Sequence, residues 1–330
     1  MGVTSTSERR ERRRRSGRFF LLGLIIGMFA GVYLTDRFGN RWDVRPRDAS
    51  RPDRAGNGEK MADFDQSTPA ETVESSIEEV LSMAEAALAA IRRDVDDYTA
   101  VLVKQERVGG TLGEPQRMNI KVQTPHRGGR LDESESLRVY LSFQEPEGVA
   151  GREVIWAPDL HDGKLVAHEA GLLGMMTVRL DPTGMLAMRG QRYPITDIGL
   201  TNLIKKLIER GGRDRDNPDV EVTITRGLRF DDRLCDQIVV RRSSPTSDEN
   251  DFSRAEVLFD RERQLPLRYV AYGWPESSGG SGDSGDSAAS ESPADSEGPV
   301  LESYTYLQIR TNVGLTESDF DPDNPEYRFR

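Results

Sequence analysis

Short runs in which apolar and polar residues alternate fill most of the chain beyond about residue 95. Clear examples centre on residues 118–122, 137–143 and 220–224. Successive side chains of a strand point to opposite faces, so this period of two predicts strands with one buried and one solvated face, as is typical of antiparallel sheets. Further strands are predicted over 97–108, 152–157, 164–169, 175–180, 234–242, 254–260, 265–273 and 300–310.

One stretch before the strands shows helical spacing instead. The letters TPAE at residues 68–71 have the form of a capping box with proline at the first helical position. Apolar residues then recur every three or four positions from residue 77 onwards. We therefore predict a long amphipathic helix that begins at Thr68 and ends near Arg92.

A second helix is predicted between the strands, where apolar residues recur at helical spacing over 198–208. Thr196 or Asp197 is the expected N-cap, because short polar side chains accept hydrogen bonds from the first free amides. Gly211 is expected to end the helix in the left-handed conformation.

An uncharged apolar run occupies residues 19–34, directly after the arginine-rich segment RRERRRRSGR at 9–18. These sixteen residues cover roughly 24 Å, slightly less than a hydrocarbon core of ~30 Å, and Thr35 extends the run. Arginine-rich flanks stay on the cytoplasmic side of a membrane. We therefore predict a cytoplasmic segment at 1–18, a single-pass transmembrane signal anchor of the inner membrane at 19–35, and an extracytoplasmic, periplasmic remainder.

Other interpretations of the same run fit the sequence less well. A cleaved signal peptide has this layout, but Ala30 and Gly31 offer only a weak cleavage site. A lipoprotein signal needs a cysteine just after the run, and the sequence has none there. A buried core helix is disfavoured by the neighbouring arginines.

Glycines recur every four residues within the apolar run, at Gly23, Gly27 and Gly31. This spacing places them on one helix face, where two transmembrane helices can approach closely and self-associate. The alternative is that glycine is simply frequent in membrane spans.

The formal net charge of −11 is unevenly spread over the 330 residues. Residues 1–60 carry fourteen basic and seven acidic side chains, a balance of +7, so the rest of the chain carries −18. An acidic body argues against nucleic-acid binding, which needs a basic face.

Residues 36–67 are a polar, disordered linker by composition, and residues 275–299 are a flexible acidic loop between two strands. The body at 68–330 is then one domain.

No recognised catalytic motif appears in the sequence. Cys235 is the single cysteine, which excludes an intramolecular disulfide and a cysteine-built zinc site, and its strand pattern predicts a buried position. His161 and His168 are expected to be surface or turn residues rather than ligands of one metal, because their odd separation places them on opposite faces of a strand. We expect neither metal nor cofactor.

A methionine-rich segment is the most suggestive apolar feature. Methionine is flexible and polarizable and suits surfaces that accept variable apolar partners. With the neighbouring leucines it predicts a lipid-accepting groove, and irregular core packing is the alternative. The residues concerned are Leu172, Leu173, Met175, Met176, Met185, Leu186 and Met188.

Several blocks resemble an uncharacterised bacterial domain family of the periplasmic lipoprotein-carrier (LolA/LolB-like) superfamily over residues 70–330. They are YTAVLVKQERV at 98–108, GREVIW at 151–156, DGKLVAHEAGLLG at 162–174, RGQRYPITDIGL at 189–200 and YTYLQIRTNVGLTESDFDP at 304–322. The resemblance implies an α+β fold, a strongly curved antiparallel sheet that forms an open half-barrel with helices over its concave side. In the carriers that cavity shelters acyl chains. The carriers lack a protein anchor, so no carrier residue is transferred to this chain.

Two functions of different classes follow from these features. The first is a non-catalytic, membrane-anchored envelope protein that binds a lipid, an acyl chain or a lipoprotein moiety in a half-barrel cavity. The second is a structural or sensing interaction module of an envelope complex, in which side chains fill the interior. A hydrolase is the least favoured class.

Overall fold

A computed structural model describes residues 71–128, 136–169, 176–247, 251–275 and 298–329. Within these residues, thirteen strands form one antiparallel sheet and two α-helices accompany it. The helices are α1 (Ile77–Asp94) and α2 (Leu200–Arg213). The strands are β1 (Glu71–Ser75), β2 (Asp97–Val108), β3 (Thr111–Leu112), β4 (Gln116–Gln123), β5 (Arg138–Glu145), β6 (Glu153–Trp156), β7 (Leu165–His168), β8 (Thr177–Leu180), β9 (Val220–Phe230), β10 (Arg233–Arg242), β11 (Arg254–Asp260), β12 (Pro266–Tyr272) and β13 (Val300–Thr311).

The sheet is large, curved and open. Its order is β1-β9-β10-β11-β12-β13-β2-β4-β5-β6-β7-β8, with β3 paired to β2. The predicted α+β class with an antiparallel sheet is confirmed, and every strand predicted from alternation is present. The two ends of the acidic loop do lie on neighbouring strands, since Tyr272 pairs with Val300. Strands β1 and β3 were not predicted.

The predicted membrane anchor at 19–35, its glycines Gly23, Gly27 and Gly31, and the linker at 36–67 lie outside the described residues. Among the residues that are described, no helix has both the length and the apolar character that crossing a membrane requires. Most of the acidic loop, residues 276–297, also lies outside them.

The prediction that the first helix begins at Thr68 is wrong, because α1 begins at Ile77. Residues 71–75 form the edge strand β1, which pairs antiparallel with β9. The cap is Ser76, whose hydroxyl oxygen accepts a hydrogen bond from the Glu79 amide at 3.2 Å. Ser76 and Glu79 have the same capping-box spacing as residues 68–71, so the sequence offered two start signals and only the second is used.

The predicted caps of the second helix are also wrong. Helix α2 begins after Gly199, and Thr196 and Asp197 belong to a separate 3₁₀ turn. The helix also continues through Gly211 instead of ending there. A Cβ at position 211 would lie 3.0 Å from Leu81 Cδ2 on α1, so this glycine permits close packing of the two helices.

One face of the sheet, the helix face, carries the main core. A single register row crosses it from the β9 side to β2, and helices α1 and α2 pack over β10–β12. Along each of these strands, the side chain of this row alternates with side chains that point to the opposite face of the sheet, as the period of two predicted. The row runs through Ile224, Ile238, Val257, Tyr269, Tyr304 and Lys104.

The opposite face is covered at β5–β7 by the C-terminal segment, residues 313–329. Phe320 of this segment is fully buried in a second apolar cluster with Tyr140, and Tyr140 stacks on Tyr327 with ring centroids 4.2 Å apart. The buried carboxylate of Asp97 accepts hydrogen bonds from the amides of residues 313–315 at 2.7, 3.3 and 3.0 Å. Asp97, to which the sequence assigned no function, therefore fastens this segment at its start.

Candidate binding cavity and the adjacent ionic network

A cavity of about 370 Å³ lies on the helix face, between the first turn of α2 and strands β2, β4 and β6. This volume falls within the range of ligand pockets, about 300–1,000 Å³. One part of its wall is apolar and includes Val122, Leu137, Trp156 and Leu200. The Trp156 ring is held in place because its Nε1 donates a hydrogen bond to the Gly163 carbonyl at 3.2 Å.

The rest of the wall is polar and centres on the start of α2. Gly199 has φ +109°, which an L side chain rarely adopts, and its missing Cβ would lie 3.3 Å from the Tyr98 hydroxyl. This close approach lets the Leu200 amide donate to the Tyr98 hydroxyl at 3.2 Å. Burial raises the pKa of Tyr98 well above its usual range, so the hydroxyl stays neutral.

The loop before α2 is tied to the helix by polar contacts. The Asn202 side chain donates to the carbonyls of Thr196 and Ile198 at 3.0 and 3.1 Å. Lys206 pairs with Asp197 at 2.8 Å. The polar wall is thereby held in a fixed geometry on a helix, which favours precise positioning of a ligand group.

A second cavity, between α1, α2 and β10–β12, measures only about 50 Å³ and is almost wholly apolar. Its size places it below the range of ligand pockets. We interpret it as a packing gap of the core.

A buried group of charged side chains, the ionic network, lies on the same face at β2 and β13. Its members are Lys104, Glu106, Arg192, Arg210 and Glu302. Arg210 of α2 contacts Glu302 at 2.9 Å, and Arg192 of the preceding loop contacts the same carboxylate at 3.4 Å. Glu302 is only 1% exposed, so it is paired with two cations in a nearly water-free site.

The second carboxylate of the ionic network holds the loop backbone. Glu106 accepts hydrogen bonds from the Arg192 amide at 2.9 Å and from the Tyr304 hydroxyl at 2.5 Å. Lys104 contacts Glu106 at 3.3 Å and also Gln191. Burial lowers the pKa of Lys104 from its usual range, against the opposing effect of Glu106. The ionic network therefore fastens the loop around Arg192, and through Arg210 the helix α2, onto the sheet.

Because of its buried tyrosines, the protein's free energy of unfolding depends strongly on pH in the alkaline range. Burial raises the pKa of Tyr98, Tyr269, Tyr304 and Tyr306 above the usual value. Above about pH 10 the unfolded chain loses these phenolic protons while the folded chain keeps them, so the unfolded state binds fewer protons. The free energy of unfolding therefore falls as pH rises, by up to about 1.4 kcal/mol per pH unit for each tyrosine. The lowered pKa of Lys104 opposes this, but it is one group against these four tyrosines and three more whose pKa burial also raises, namely Tyr140, Tyr193 and Tyr327.

The measurement is urea unfolding at pH 8, 10 and 11, for the wild type and for Tyr304→Phe. We expect the variant to show the shallower dependence above pH 10, because one phenol is missing. Equal unfolding free energies of the wild type at pH 8 and pH 11 would contradict the assignment.

Of the seven residues singled out in the sequence, the four that the structure describes do not line this cavity. Leu172, Leu173 and Met175 lie outside the described residues. Met185 is 89% exposed, Met176 and Leu186 are 39% and 42% exposed, and Met188 is half-buried. None of these four lines either cavity. That the segment contacts a ligand stays a prediction.

Cys235 is fully buried and free, as predicted. Burial raises the pKa of its thiol to about 12, which keeps it protonated and unreactive at neutral pH.

The expectation that His168 lies at the surface is wrong, since it is 4% exposed and its Nδ1 lies 3.3 Å from the Thr177 hydroxyl. Within the described parts of the chain, no three His, Cys, Asp or Glu side chains are grouped to hold a metal ion.

The cavity residues were missed because they carry no linear motif. Val122, Leu137 and Trp156 read as ordinary strand residues, and only the fold brings them to the first turn of α2. The one available signal was the Gly199 that precedes the apolar helical spacing, since glycine before a helix allows close approach of another group.

Comparison with known proteins gives a family but no activity. The sequence profile of a family described as "Protein of unknown function (DUF1571)" matches residues 95–329. No curated protein matches the chain.

Three solved structures illustrate the structural likenesses. A DUF1329 family protein from Desulfovibrio piger is 11% identical, with 75% of this chain and 98% of that chain covered and a TM-score of 0.34. A putative outer membrane lipoprotein-sorting protein domain from Vibrio parahaemolyticus is 12% identical, with coverage of 74% and 97% and a TM-score of 0.31. A LolA superfamily protein from Nitrosomonas europaea is 11% identical, with coverage of 75% and 98% and a TM-score of 0.27.

Proposed function

The chain belongs to the DUF1571 family of proteins of unknown function, as the sequence blocks predicted, and we propose that it is a non-catalytic protein that binds an amphiphile in the cavity beside α2. The amphiphile is a lipid, a fatty acid or the acylated part of a lipoprotein. We further propose that residues 19–35 anchor it in the inner membrane and that the domain lies on the extracytoplasmic side.

The observation that carries the proposal is the divided wall of the cavity. Val122, Leu137 and Trp156 offer an apolar surface, while Thr201 and Asn202 bring polar atoms from the first turn of α2. Burial of each CH₂ group gains about 0.8 kcal/mol, so a short length of acyl chain binds measurably without any covalent step. A ligand with an apolar tail and a polar end satisfies both sides at once.

A fluorescent fatty-acid probe tests this proposal on the full-length chain in lipid nanodiscs, with empty nanodiscs subtracted. We expect saturable binding, and at least a tenfold loss of affinity in Leu137→Glu, because the introduced carboxylate would have to be desolvated beside the tail. Leu234→Glu is the matched control, since Leu234 is 45% exposed on β10 and does not line the cavity. A folded wild type that shows no saturable binding would overturn the proposal.

The anchor has its own test. Alkaline phosphatase fused after residue 330 is active only outside the cytoplasm. We expect an active fusion in whole cells, and an inactive one would contradict the proposed topology.

The second candidate function, a structural or sensing interaction module, is favoured by the ionic network. Glu106, Glu302 and their cations fill part of the helix face with side chains rather than leaving it open. This function becomes the better account if the folded protein fails to bind the probe.

A further inference from the structure

The segment between β8 and α2 contributes a part of the cavity wall that belongs neither to the sheet nor to α2. We call residues 191–198 the strap. Thr196 and Ile198 of the strap line the cavity, together with Gly199, which follows it. All eight residues of the strap are half-buried, so the segment lies over the domain rather than within its core.

Both ends of the strap are glycines with a left-handed backbone. Gly190 has φ +70° and Gly199 has φ +109°. Glycine adopts positive φ at no steric cost, and it passes easily between backbone conformations. A Cβ at Gly190 would meet no atom within 4 Å, so packing does not fix the backbone there. Hinges of moving loops are a few terminal positions of this kind, which absorb the change in φ and ψ.

The strap is joined within itself by backbone hydrogen bonds. The Asp197 amide donates to the Pro194 carbonyl at 3.0 Å, and the Ile198 amide donates to the Ile195 carbonyl at 3.2 Å. Ile195 and Ile198 also pack at the margin of the main core, and both remain half-buried. These internal bonds let the strap move as one unit.

Side chains of the ionic network hold the first half of the strap against the sheet. Glu106 of β2 accepts a hydrogen bond from the Arg192 amide at 2.9 Å. The Arg192 guanidinium contacts Glu302 of β13 at 3.4 Å. Such side-chain contacts can break while the pairing of the strands stays intact.

Helix α2 holds the second half of the strap. Lys206 pairs with Asp197 at 2.8 Å, and its ammonium lies 3.7 Å from the centre of the Tyr193 ring. Arg210 donates to the Tyr193 hydroxyl at 2.8 Å. Asp197 and Lys206 are about one-third exposed, so water competes with their ion pair. A segment that is held largely by polar contacts and buries little apolar surface opens at a low free-energy cost.

We propose that the strap opens about Gly190 and Gly199 to admit the amphiphile to the cavity, and that Arg192 and Asp197 are positioning residues that hold it closed. The inference rests on the proposed function and adds the route by which the ligand enters and leaves. The same contacts break in the free and in the bound protein. Weakening them therefore raises the association and dissociation rates by the same factor and leaves the affinity unchanged.

The test follows the binding of 11-(dansylamino)undecanoic acid by stopped flow. The full-length chain is held in lipid nanodiscs, and empty nanodiscs are subtracted. Tryptophan transfers excitation energy to the dansyl group, so the part of the signal that disappears in Trp156→Phe reports the cavity. Both rate constants and the equilibrium affinity are measured for Arg192→Met, Asp197→Asn and the double variant.

We expect each single variant to raise both rate constants by about two- to fivefold, the factor that corresponds to losing one partly exposed ion pair. The two contacts lie at different ends of the strap, so the double variant should show roughly the product of the two effects. The affinity should stay within about twofold throughout. Arg192→Lys keeps the cation and should resemble the wild type. Glu169→Gln is the matched control, since it breaks the similarly exposed pair with Arg152 and does not line the cavity.

Hydrogen exchange detects the opening without any ligand. The Arg192 amide loses its bond to Glu106 whenever the strap opens, so the peptide that spans residues 190–194 reports the movement. In Asp197→Asn we expect exchange of this peptide to accelerate by the same factor as the binding rates. The peptides of β10–β12 should exchange as in the wild type.

The possible failures are distinguishable. Rates that stay at the wild-type values in the double variant, or in both single variants if the double variant does not fold, would overturn the strap. Weaker binding with an unchanged association rate would show a fixed wall and would also overturn it. Unaltered exchange at residues 190–194 in Asp197→Asn would contradict the movement even if the probe binds. No saturable binding by the folded wild type would overturn the proposed function itself.

Discussion

Replacing Glu302 by alanine is expected to lower the free energy of unfolding by about 3–5 kcal/mol, the cost of leaving buried charges without their partner. Glu302 is 1% exposed and is the shared carboxylate of Arg210 and Arg192. Its loss leaves the Arg210 guanidinium, which also donates to Tyr269 and Tyr193, in a site with little water to solvate it. Because Arg210 lies on α2, the helix that borders the cavity should also loosen.

Urea unfolding of the full-length chain measures this cost, with Glu209→Ala as the matched control. Glu209 lies on the same helix and pairs with Arg213, but both side chains are more than half exposed, so we expect a loss of about 0.5 kcal/mol or less. A double variant, Glu302→Leu with Arg210→Met, should recover part of the stability, because it removes the carboxylate together with one of its two cations and leaves only Arg192 without Glu302. A loss below 1 kcal/mol in Glu302→Ala would contradict the burial and pairing described here.

Replacing Phe320 by alanine is expected to cost about 3–5 kcal/mol, the range for large-to-small substitutions of aromatic core residues. Phe320 is 0% exposed and lies in the small apolar cluster that joins the C-terminal segment to β5–β7. The cluster has few other members, among them Tyr140 and Tyr327, so the surrounding side chains have little freedom to close the gap. The segment should then detach before the sheet unfolds.

Hydrogen exchange of the backbone amides measures the effect locally. In Phe320→Ala we expect faster exchange at residues 313–329, with the amides of β10–β12 protected as in the wild type. Val313→Ala is the control, because Val313 is 43% exposed and should change exchange little. Unchanged protection of residues 313–329 in Phe320→Ala would show that the cluster does not hold the segment.

The strands could be predicted from the sequence because each is marked by a local signal. Alternation gave β2 over 97–108 and β11 over 254–260 with the bounds that the structure shows. The start of α1 could not be predicted, since residues 68–71 and 76–79 carry equivalent capping signals. Pairing with β9 decided between them, because the strand 71–75 occupies the edge that an earlier helix start would have left open.

The cavity could not be predicted from the sequence for a similar reason. Thr201 looks like an ordinary polar position in a helix, and its burial depends on strands that are far from it in sequence. The methionine-rich segment attracted notice because its composition is unusual, but composition does not report exposure. Met185 shows this most clearly, with 89% of its surface exposed.

The central claim is that an amphiphile occupies the cavity beside α2, and photolabelling tests it most directly. A fatty acid that carries a diazirine in its tail is irradiated with the full-length chain in nanodiscs, and the labelled peptides are mapped by mass spectrometry. The account predicts that label concentrates on peptides with Leu137, Trp156 and Leu200 and declines when unlabelled fatty acid competes. Competable label on the segment around Met185, with none at the cavity residues, would contradict it.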